Sequence, residues 1–249
     1  MNQILGIDVG GSGIKGALVD VKTGEMVTPR FRLDMPQPST PVAAADIVQQ
    51  IVKHFNYKGK IGIGFPAVVK QNVAKTAANI DKSWIDTNVA TALGSGLNDC
   101  QLFVANDADI AGVAEMQHGR GKGVMGTVVF ITIGTGLGSA LFRDGKLIPN
   151  TEFGHIRLKD GTIGEKYASS SAREKEALSW KKWGKRFNNY LESIELYLQP
   201  DLILLGGGSS KYFEEFKSKI TIQTPVEPAI LQNGAGIVGA AMYAATLNS

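Results

Sequence analysis

Apolar residues along the chain fall into short runs that end at glycine-rich turns, a pattern typical of β-strands. Residues 3–9 (QILGIDV) form one run and residues 14–21 (IKGALVDV) form the next, with GGSG between them. Two short strands around a glycine turn predict a β-hairpin. Walker and Rossmann phosphate loops need a helix after their glycines, so the hairpin excludes both of them.

The pattern of strand, glycine turn and strand returns in residues 127–148 (TVVFITIGTGLGSALFRDGKLI). Both copies place a polar residue two positions before the first turn glycine: Asp8 before Gly10, and Thr132 before Gly134. If the turns are allowed to differ in length by one residue, the second strands of the two copies also align. The sequence therefore predicts an internal duplication, with two similar halves that face each other.

Other elements are predicted from apolar spacing and from the residues that start or stop them. Residues 39–55 predict a helix, because Val48, Ile51, Val52 and Phe55 recur at helical spacing after cap residues and a proline. Further strands are predicted in residues 60–69, stopped by Pro66, in 100–107 and in 201–208; further helices are predicted in 108–119, 172–198 and 234–247.

Composition and charge narrow the class of protein. The 249 residues suffice for one large domain or two small ones, and 43% hydrophobic with 20% charged residues is ordinary for a globular enzyme. The 30 glycines are an excess, which indicates tight turns or close approach of the backbone to a ligand. The net charge of +3, without a dense run of lysine and arginine, argues against a nucleic-acid partner.

The only cysteine, Cys100, excludes an internal disulfide and a multi-cysteine zinc site. The first residues lack the basic start and apolar core of a signal peptide, and no apolar run approaches the ~18 residues of a membrane span. We therefore expect a cytoplasmic enzyme without a membrane partner.

The glycine turns are candidate phosphate-binding sites. Glycine at a hairpin tip lets backbone N–H groups approach a polyanion without a Cβ atom in the way. Lys15 can neutralise phosphate charge, whereas Asp8 is favourable beside a phosphate only if Mg²⁺ lies between them, directly or through water. The alternative is a plain turn with a solvated acid and base.

Two later glycine clusters strengthen the phosphate interpretation. The second hairpin adds the hydroxyls of Thr132 and Thr135 and no acid, so two hairpins could bind a phosphate chain from both sides. The third cluster, Gly206 to Gly208, comes after a strand and precedes a helix, where it could carry a nucleotide base and ribose or more phosphate.

Polar residues beyond the turns are candidates for binding a sugar. Asp107 lies at the end of a predicted strand, where a carboxylate can accept a proton from a substrate hydroxyl. Alternatively, Asp107 or Asp109 caps the next helix. Glu152, His155 and Glu165 suit the dense hydroxyls of a sugar, and the alternative for His155 alone is a structural histidine.

In this order, the motifs resemble the ROK sugar kinases, which belong to the actin-like ATPase and hexokinase superfamily. The stretches that carry the resemblance are IDVGGSGIKGA (7–17), GFPAVV (64–69), ANDAD (105–109), ITIGTGLGSALF (131–142), the Glu-x-Gly-His group at 152–155 and LLGGGSS (204–210). The match covers nearly the whole chain. Runs such as TAANIDKSW (76–84) look most like the polyphosphate glucokinases.

The resemblance implies an α/β fold with two lobes, the actin-like ATPase/hexokinase (ribonuclease H-like) fold. Each lobe would be a mixed sheet flanked by helices, with a cleft between the lobes. We expect residues 1–106 to form the N-terminal lobe and residues 107–249 the C-terminal lobe, with the last helix returning to the N-terminal lobe. Dimers are common in the family, which implies a homodimer.

The implied reaction transfers a phosphoryl group from inorganic polyphosphate, ATP or both to the 6-hydroxyl of glucose, with Mg²⁺ and with Asp107 as the general base. The residues that the resemblance assigns to the sugar are Asn79, Asn106, Asp107, Glu152, His155 and Glu165, with the turn from Gly64 to Pro66 beside them. Those that it assigns to phosphate are Asp8, which orders Mg²⁺, Gly10, Gly11, Ser12 and Lys15, then Thr132, Gly134, Thr135 and Gly136, then Gly206, Gly207 and Gly208.

Two departures from the wider family refine this expectation. Many ROK proteins carry a cysteine-rich zinc motif after the Glu-x-Gly-His group, whereas residues 154–170 here contain no cysteine. We therefore expect no zinc site, which leaves His155 for the sugar. The chain also starts at a predicted strand rather than at a helix-turn-helix domain, which disfavours a ROK transcription repressor.

Alternatives remain at this stage. One is an ATP-dependent ROK kinase for another hexose, such as mannose or an N-acetylated sugar, and another is a sugar-binding regulator without catalysis. Retention of Asp8, Lys15 and Asp107 argues against the regulator, and the Glu-x-Gly-His group argues against an actin-like structural ATPase. The donor stays open, because glycine loops bind phosphate and not the group attached to it. Candidate cations for a polyphosphate groove are Lys70, Lys75, Lys82 and Arg120.

Overall fold

The computed structural model describes residues 2–78, 80–231 and 234–247. The chain divides into two units, of which the first comprises Met1–Ala114 and Gly234–Ser249 and the second comprises Glu115–Asn233. Among the described residues, no helix combines the length and the apolar character that crossing a bilayer would require.

This division differs from the expected boundary after residue 106. The helix that begins at Asp107 packs its first turns within the first unit, where Ala105, Ile110 and Ala240 form one apolar cluster. Ala240 lies on the last helix, which therefore belongs to the first unit together with the strands that open the chain.

The first unit is built on a mixed sheet with the strand order β3–β2–β1–β5–β8, and β4 pairs with β2. Its strands are β1 (Gln3–Gly10), β2 (Gly13–Asp20), β3 (Glu25–Met26), β4 (Phe31–Asp34), β5 (Gly59–Phe65), β6 (Val69–Lys70), β7 (Val73–Ala74) and β8 (Cys100–Asn106). Its helices are α1 (Pro41–His54), α2 (Val89–Leu93), the start of α3 (Asp107–His118), and α8 (Ala235–Thr246).

Helix α1 is the amphipathic helix that the apolar spacing predicts. The Thr40 hydroxyl accepts a hydrogen bond from the Ala43 N–H at 3.3 Å and so caps the helix, and a proline occupies the first turn. Val48 and Ile51 are fully buried, in the same cluster as the core residues of β1 and β5. The spacing fixes both the helix and the face that it buries.

Helix α8 packs unusually close to the sheet because glycine removes side chains at the contact points. A Cβ atom at Gly6 of β1 would lie 2.0 Å from the Ile237 carbonyl oxygen, and one at Gly62 of β5 would lie 1.7 Å from the Ala240 carbonyl oxygen. Both distances are far below van der Waals contact, so only glycine fits at these positions. The small residues of α8 complete this close packing.

The second unit repeats the same arrangement, with the strand order β11–β10–β9–β12–β13. Its strands are β9 (Thr127–Ile133), β10 (Leu137–Arg143), β11 (Lys146–Ile148), β12 (Leu202–Gly206) and β13 (Val226–Pro228). Its helices are α4 (Gly164–Ala168), α5 (Ser170–Lys175), α6 (Trp180–Leu198) and α7 (Phe213–Phe216). In each sheet an antiparallel hairpin continues into two parallel strands, as expected of a duplication.

The predicted helical stretch from 172 to 198 is interrupted. Helix α5 ends at Lys175, Ala177 adopts a left-handed backbone with φ of 47°, and the Ser179 hydroxyl caps α6 by accepting from the Lys182 N–H at 3.4 Å. A serine that caps a new helix favours a break over continuation. The amphipathic part, α6, buries Trp183 in the core of this unit.

Candidate functional site

The first glycine hairpin joins the acid and the base of its sequence. Asp8 on β1 stands directly opposite Lys15 on β2. The Lys15 Nζ lies 2.9 Å from Asp8 Oδ2, and both side chains are only partly exposed. Gly10 pairs with Gly13, which leaves a turn of two residues. The hairpin tip thus combines a short turn with a nearby ammonium group, which can bind an anion.

Two side chains from the segment after β2 brace this turn. The Arg32 guanidinium donates to the Ser12 carbonyl oxygen at 3.3 Å, and the Gln37 amide donates to the Gly11 carbonyl oxygen at 3.1 Å. Neither side chain belongs to a motif that would reveal it in the sequence. A single cation in the short strand FRLD (31–34) is the only available signal.

Asp8 also contacts the beginning of α8. A Cβ atom at Gly236 would lie 2.5 Å from Asp8 Oδ2, so glycine is required for this approach. The N-terminus of a helix favours a carboxylate because its backbone N–H groups carry a partial positive charge. Asp8 is therefore held between Lys15 and α8.

The predicted residues of the first unit meet at one edge of its sheet. In the parallel register Asp8 pairs with Gly64, and Gly64 pairs with Ala105. Asn106 and Asp107 come immediately after Ala105, and Pro66 comes directly after the end of β5. Ligands of α/β proteins bind outside the carboxyl ends of parallel strands, which is the edge that these residues share.

Asn106 is buried and anchors the start of α3. Its Nδ2 donates to the Ala67 carbonyl oxygen at 3.1 Å, and its Oδ1 accepts from the N–H groups of Ala108 and Asp109 at 2.8 and 3.2 Å. Asn106 therefore caps the helix, the role that the sequence left open for Asp107 or Asp109. Asp107 itself is exposed, and its Oδ1 accepts from the Ala108 N–H at 2.8 Å.

The second hairpin has a turn one residue longer than the first. Ile133 pairs with Leu137, which leaves three residues between them, and the Gly134 N–H donates to the Gly136 carbonyl oxygen at 3.0 Å. This extra residue accounts for the one-residue difference between the two copies of the motif. Thr135 is exposed and Thr132 is partly exposed, so the hydroxyl of each is accessible at this end of the hairpin.

The third glycine cluster adjoins the second hairpin. Thr132 pairs with Gly206 in the parallel register of β9 and β12. Gly207 adopts φ of 77°, and a Cβ atom there would lie 2.6 Å from the Ile133 backbone nitrogen. The predicted second and third phosphate elements therefore form one continuous surface of the second unit.

The predicted sugar residues of the second unit are joined to the second hairpin at Leu137. The Glu165 Oε2 accepts from the Leu137 N–H at 3.2 Å. A Cβ atom at Gly154 would lie 2.1 Å from the Leu137 carbonyl oxygen, so the Glu-x-Gly-His turn packs directly on the start of β10. The spacing of the sequence motifs does not reveal this link.

Glu152 and His155 form the accessible end of this group. The His155 Nδ1 lies 3.4 Å from Glu152 Oε2, with the two side chains 60% and 44% exposed. Partial burial raises the pKa of Glu152 above its ordinary value, the neighbouring His155 lowers it, and the charge of Glu165 raises it further. The cluster therefore contains a carboxyl group that protonates more readily than a typical glutamate.

Some predicted residues lie elsewhere. Asn79 is outside the described residues. Lys75 pairs with Asp86 at 2.8 Å, Arg120 lies 3.7 Å from Glu227, and Lys70 and Lys82 are exposed. Two of the four candidate groove cations are thus already engaged with acids.

Few carboxylates in the described part of the chain are placed to bind a magnesium ion. Within residues 2–78, 80–231 and 234–247, no group of three or more His, Cys, Asp or Glu side chains could hold a metal ion. Asp8 offers one carboxylate, shared with Lys15. Mg²⁺ is commonly held by one or two carboxylates together with water and substrate phosphates, and Asp8 fits that mode.

Residues 4–170 match the ROK family. A polyphosphate glucokinase of Mycobacterium tuberculosis strain H37Rv is 48% identical over 237 residues, which cover 95% of this chain and 89% of that protein. A polyphosphate glucokinase of Mycobacterium leprae is 45% identical over 237 residues, which cover 95% of this chain and 73% of that protein.

The fold is similar to that of a solved structure over nearly the full length of both chains. The crystal structure of an inorganic polyphosphate/ATP-glucomannokinase from Arthrobacter sp. strain KM gives a TM-score of 0.92 at 42% identity. The match covers 98% of this chain and 99% of that chain.

Proposed function

This chain belongs to the ROK family and has the actin-like ATPase/hexokinase fold, and from that premise we propose that it is a polyphosphate glucokinase. It transfers the terminal phosphoryl group of inorganic polyphosphate to the 6-hydroxyl of glucose. The observation that carries the proposal is the 48% identity to a polyphosphate glucokinase over 95% of the chain. The alignment of Asp8, Gly64 and Asp107 at one sheet edge supports it.

In the proposed reaction Asp107 is the general base. Its carboxylate accepts the proton of the glucose 6-hydroxyl while that oxygen attacks the terminal phosphorus. The bond from this phosphorus to the bridging oxygen breaks, and the shortened polyphosphate leaves with the bonding electrons. The exposure of Asp107 supports this role, because an exposed carboxylate is accessible to a hydroxyl of a bound sugar.

Other residues bind and orient the substrates in this proposal. Asn106 and the turn from Gly64 to Pro66 are the further sugar-binding residues that we propose in the first unit. Glu152, His155 and Glu165 are those that we propose in the second unit. The phosphate residues are Gly10, Gly11, Ser12 and Lys15 in the first unit, and Thr132, Gly134, Thr135, Gly136 and Gly206 to Gly208 in the second.

Magnesium is part of the proposal. A Mg²⁺ ion that enters with the donor would be held by Asp8, directly or through water, and would neutralise charge on the phosphate oxygens. The ion pair with Lys15 keeps the Asp8 side chain in place beside the turn.

The test is the initial rate of glucose 6-phosphate formation by the purified protein with glucose, Mg²⁺ and polyphosphate freed of ATP. We expect turnover with polyphosphate that does not depend on added nucleotide. Turnover with ATP alone would replace the proposal with an ATP-dependent hexokinase, and absence of turnover with either donor would indicate a sugar-binding regulator.

One relative favours a wider range of substrates. The Arthrobacter protein is named a polyphosphate/ATP-glucomannokinase, and its structure matches this chain at a TM-score of 0.92. We therefore include ATP as a second donor and mannose as a second acceptor, to be tested in the same assay. The homodimer expected from the family and the cytoplasmic location expected from the sequence remain part of the proposal, and light scattering of the purified protein tests the dimer.

A further inference from the structure

A cavity of about 320 Å³ opens beside the second and third glycine elements, entirely within the second unit. Its lining includes Gly134, Thr135 and Gly208, and it also includes Arg173 and Lys211. The cavity therefore brings residues proposed to hold phosphate together with two cations that no motif identified.

The lining next to the glycines is rich in hydroxyl groups. The Ser171 hydroxyl donates to the Thr135 carbonyl oxygen at 2.7 Å, which ties α5 to the second hairpin. The Ser209 hydroxyl donates to the Ser170 oxygen at 3.1 Å, and the Ser170 hydroxyl donates to Glu174 at 3.3 Å. A hydroxyl has a single proton, so each of these groups would have to turn away from its present acceptor to donate to a phosphate oxygen.

Two stacked aromatic rings, each with a cation beside it, also line the cavity. Trp180 stacks on Tyr212 with ring centroids 4.5 Å apart and an interplanar angle of 27°. The Arg173 guanidinium lies 4.0 Å from the centre of the Trp180 ring, and the Lys211 ammonium lies 4.9 Å from the centre of the Tyr212 ring. At this spacing each ring covers one face of the other, and no third ring fits between them.

The surrounding sequence concentrates positive charge. Residues 172–187 contain more lysine and arginine than glutamate, in a chain whose net charge is only +3. Of the glutamates, Glu176 pairs with Arg186. Lys181 and Lys182 are exposed in the first turn of α6, where the helix dipole disfavours cations, so helix stability does not account for them.

We propose that this cavity binds the part of polyphosphate that lies beyond the reacting end, and that Arg173 and Lys211 select polyphosphate over ATP. The proposal rests on the function proposed above. Trp180 and Tyr212 stack on each other and so do not form the two walls of a slot for a nucleoside base, and the rest of the lining supplies cations and hydroxyls. Further phosphate groups match that lining, and the glutamate at 174 limits its net positive charge.

The test compares the binding of long polyphosphate, tripolyphosphate and ATP by calorimetry in the wild type and in Lys211→Gln. Lys211 is exposed, so its replacement leaves the core intact. Lys146→Gln, at an exposed lysine of β11, is the control with the same change of charge. We expect Lys211→Gln to weaken long polyphosphate about five- to tenfold and to change tripolyphosphate and ATP by less than about twofold.

Further variants sharpen the comparison. Arg173→Gln should weaken the binding of long polyphosphate as Lys211→Gln does. Lys211→Arg, which keeps the charge, should bind long polyphosphate as the wild type does, and Glu174→Gln should bind it more tightly. Salt dependence supplies a second readout, because each lost phosphate contact makes the dependence on salt concentration less steep.

Three results would overturn the proposal: unchanged binding of long polyphosphate, an equal loss for tripolyphosphate, or an equal loss for ATP. The first result would show that the cavity does not bind the donor. The second would show that its cations bind the phosphates at the reacting end, and the third would show that it binds both donors without distinguishing them. Binding is measured without turnover, so a protein that binds long polyphosphate through Lys211 but does not phosphorylate glucose would contradict the proposed function alone.

Discussion

The Glu165 carboxylate occupies the space that a side chain at Gly136 would need. A Cβ atom at Gly136 would lie 2.2 Å from Glu165 Oε2, and the same oxygen accepts from the next N–H of the chain, that of Leu137. A residue assigned to the sugar and a turn assigned to phosphate are therefore fitted to each other. Their proposed functions should be coupled.

Gly136→Ala tests this coupling. The methyl group displaces the Glu165 carboxylate, which should lower kcat/KM about 100-fold, because misplacement of a substrate-binding group by about 1 Å has effects of this size. Adding Glu165→Asp shortens the acid and should restore part of the activity. Gly134→Ala is the control: a Cβ atom there meets no protein atom within 4 Å, so Glu165→Asp should not rescue it. Equal rescue of both variants would contradict the coupling.

Asp107→Asn tests the general base. Loss of a positioned base typically costs about 10²–10⁴-fold in turnover, whereas the amide keeps the size of the side chain. We expect kcat to fall into that range and the glucose dissociation constant to change by less than about threefold, measured by calorimetry. Asp86→Asn, at an exposed aspartate paired with Lys75, should leave kcat unchanged. Wild-type turnover in Asp107→Asn would remove the base from the scheme.

Asp8→Asn tests the proposed magnesium ligand. Loss of the carboxylate should raise the Mg²⁺ concentration for half-maximal rate by about 10–100-fold, as for other groups that orient a metal. Asp20→Asn, at the other end of β2, changes the same charge far from the turn and should have no effect. An identical Mg²⁺ dependence in Asp8→Asn would assign the carboxylate only to the ion pair with Lys15.

The loss of glucose affinity at acidic pH, the acid limb of the pH profile, should reflect the raised pKa of Glu152. A carboxylate accepts hydrogen bonds from sugar hydroxyls, and protonation removes that capacity. Because the pKa is raised, glucose affinity should begin to fall at a higher pH than for an ordinary glutamate. Glu165→Gln removes one cause of the rise, so the limb should move to lower pH. The measurement is the pH profile of the glucose dissociation constant, with Glu214→Gln as the surface control; an unmoved limb would exclude Glu152 as its source.

Gly62→Ala tests the close packing of α8. The added methyl group would lie 1.7 Å from the Ala240 carbonyl oxygen, so the helix must move. Overpacking of this kind costs about 3 kcal/mol, which corresponds to a fall of roughly 6–12 °C in Tm. Gly64→Ala on the same strand meets only the Ile110 side chain at 3.5 Å and should leave Tm nearly unchanged. Equal Tm values for the two variants would show that the helix adapts freely.

The sequence predicted the strands, the hairpins and α1 well, because glycine turns and apolar spacing are local signals. It also revealed Asp8 and Lys15, since both lie in one short motif. The residue that caps α3 was harder to predict from the sequence, because Asn106, Asp107 and Asp109 are all suitable cap residues. Only the backbone geometry selects Asn106.

Contacts between distant segments escaped prediction for a different reason. Arg32 reaches the first turn from β4, and Arg173, Trp180, Lys211 and Tyr212 meet around one cavity from separate elements. No spacing rule links residues that join only through the fold. Gly136 and Glu165 are the clearest case, since each was assigned a ligand and neither assignment predicts their contact.

The position of α8 has a consequence for synthesis on the ribosome. Gly6 emerges from the ribosome long before Ile237, whose carbonyl oxygen lies against it. Residues 115–233 can complete their own core while translation continues, but the sheet of the first unit waits for its covering helix. During that interval the apolar face that α8 will bury is exposed, and a stop codon before residue 234 would leave it so permanently.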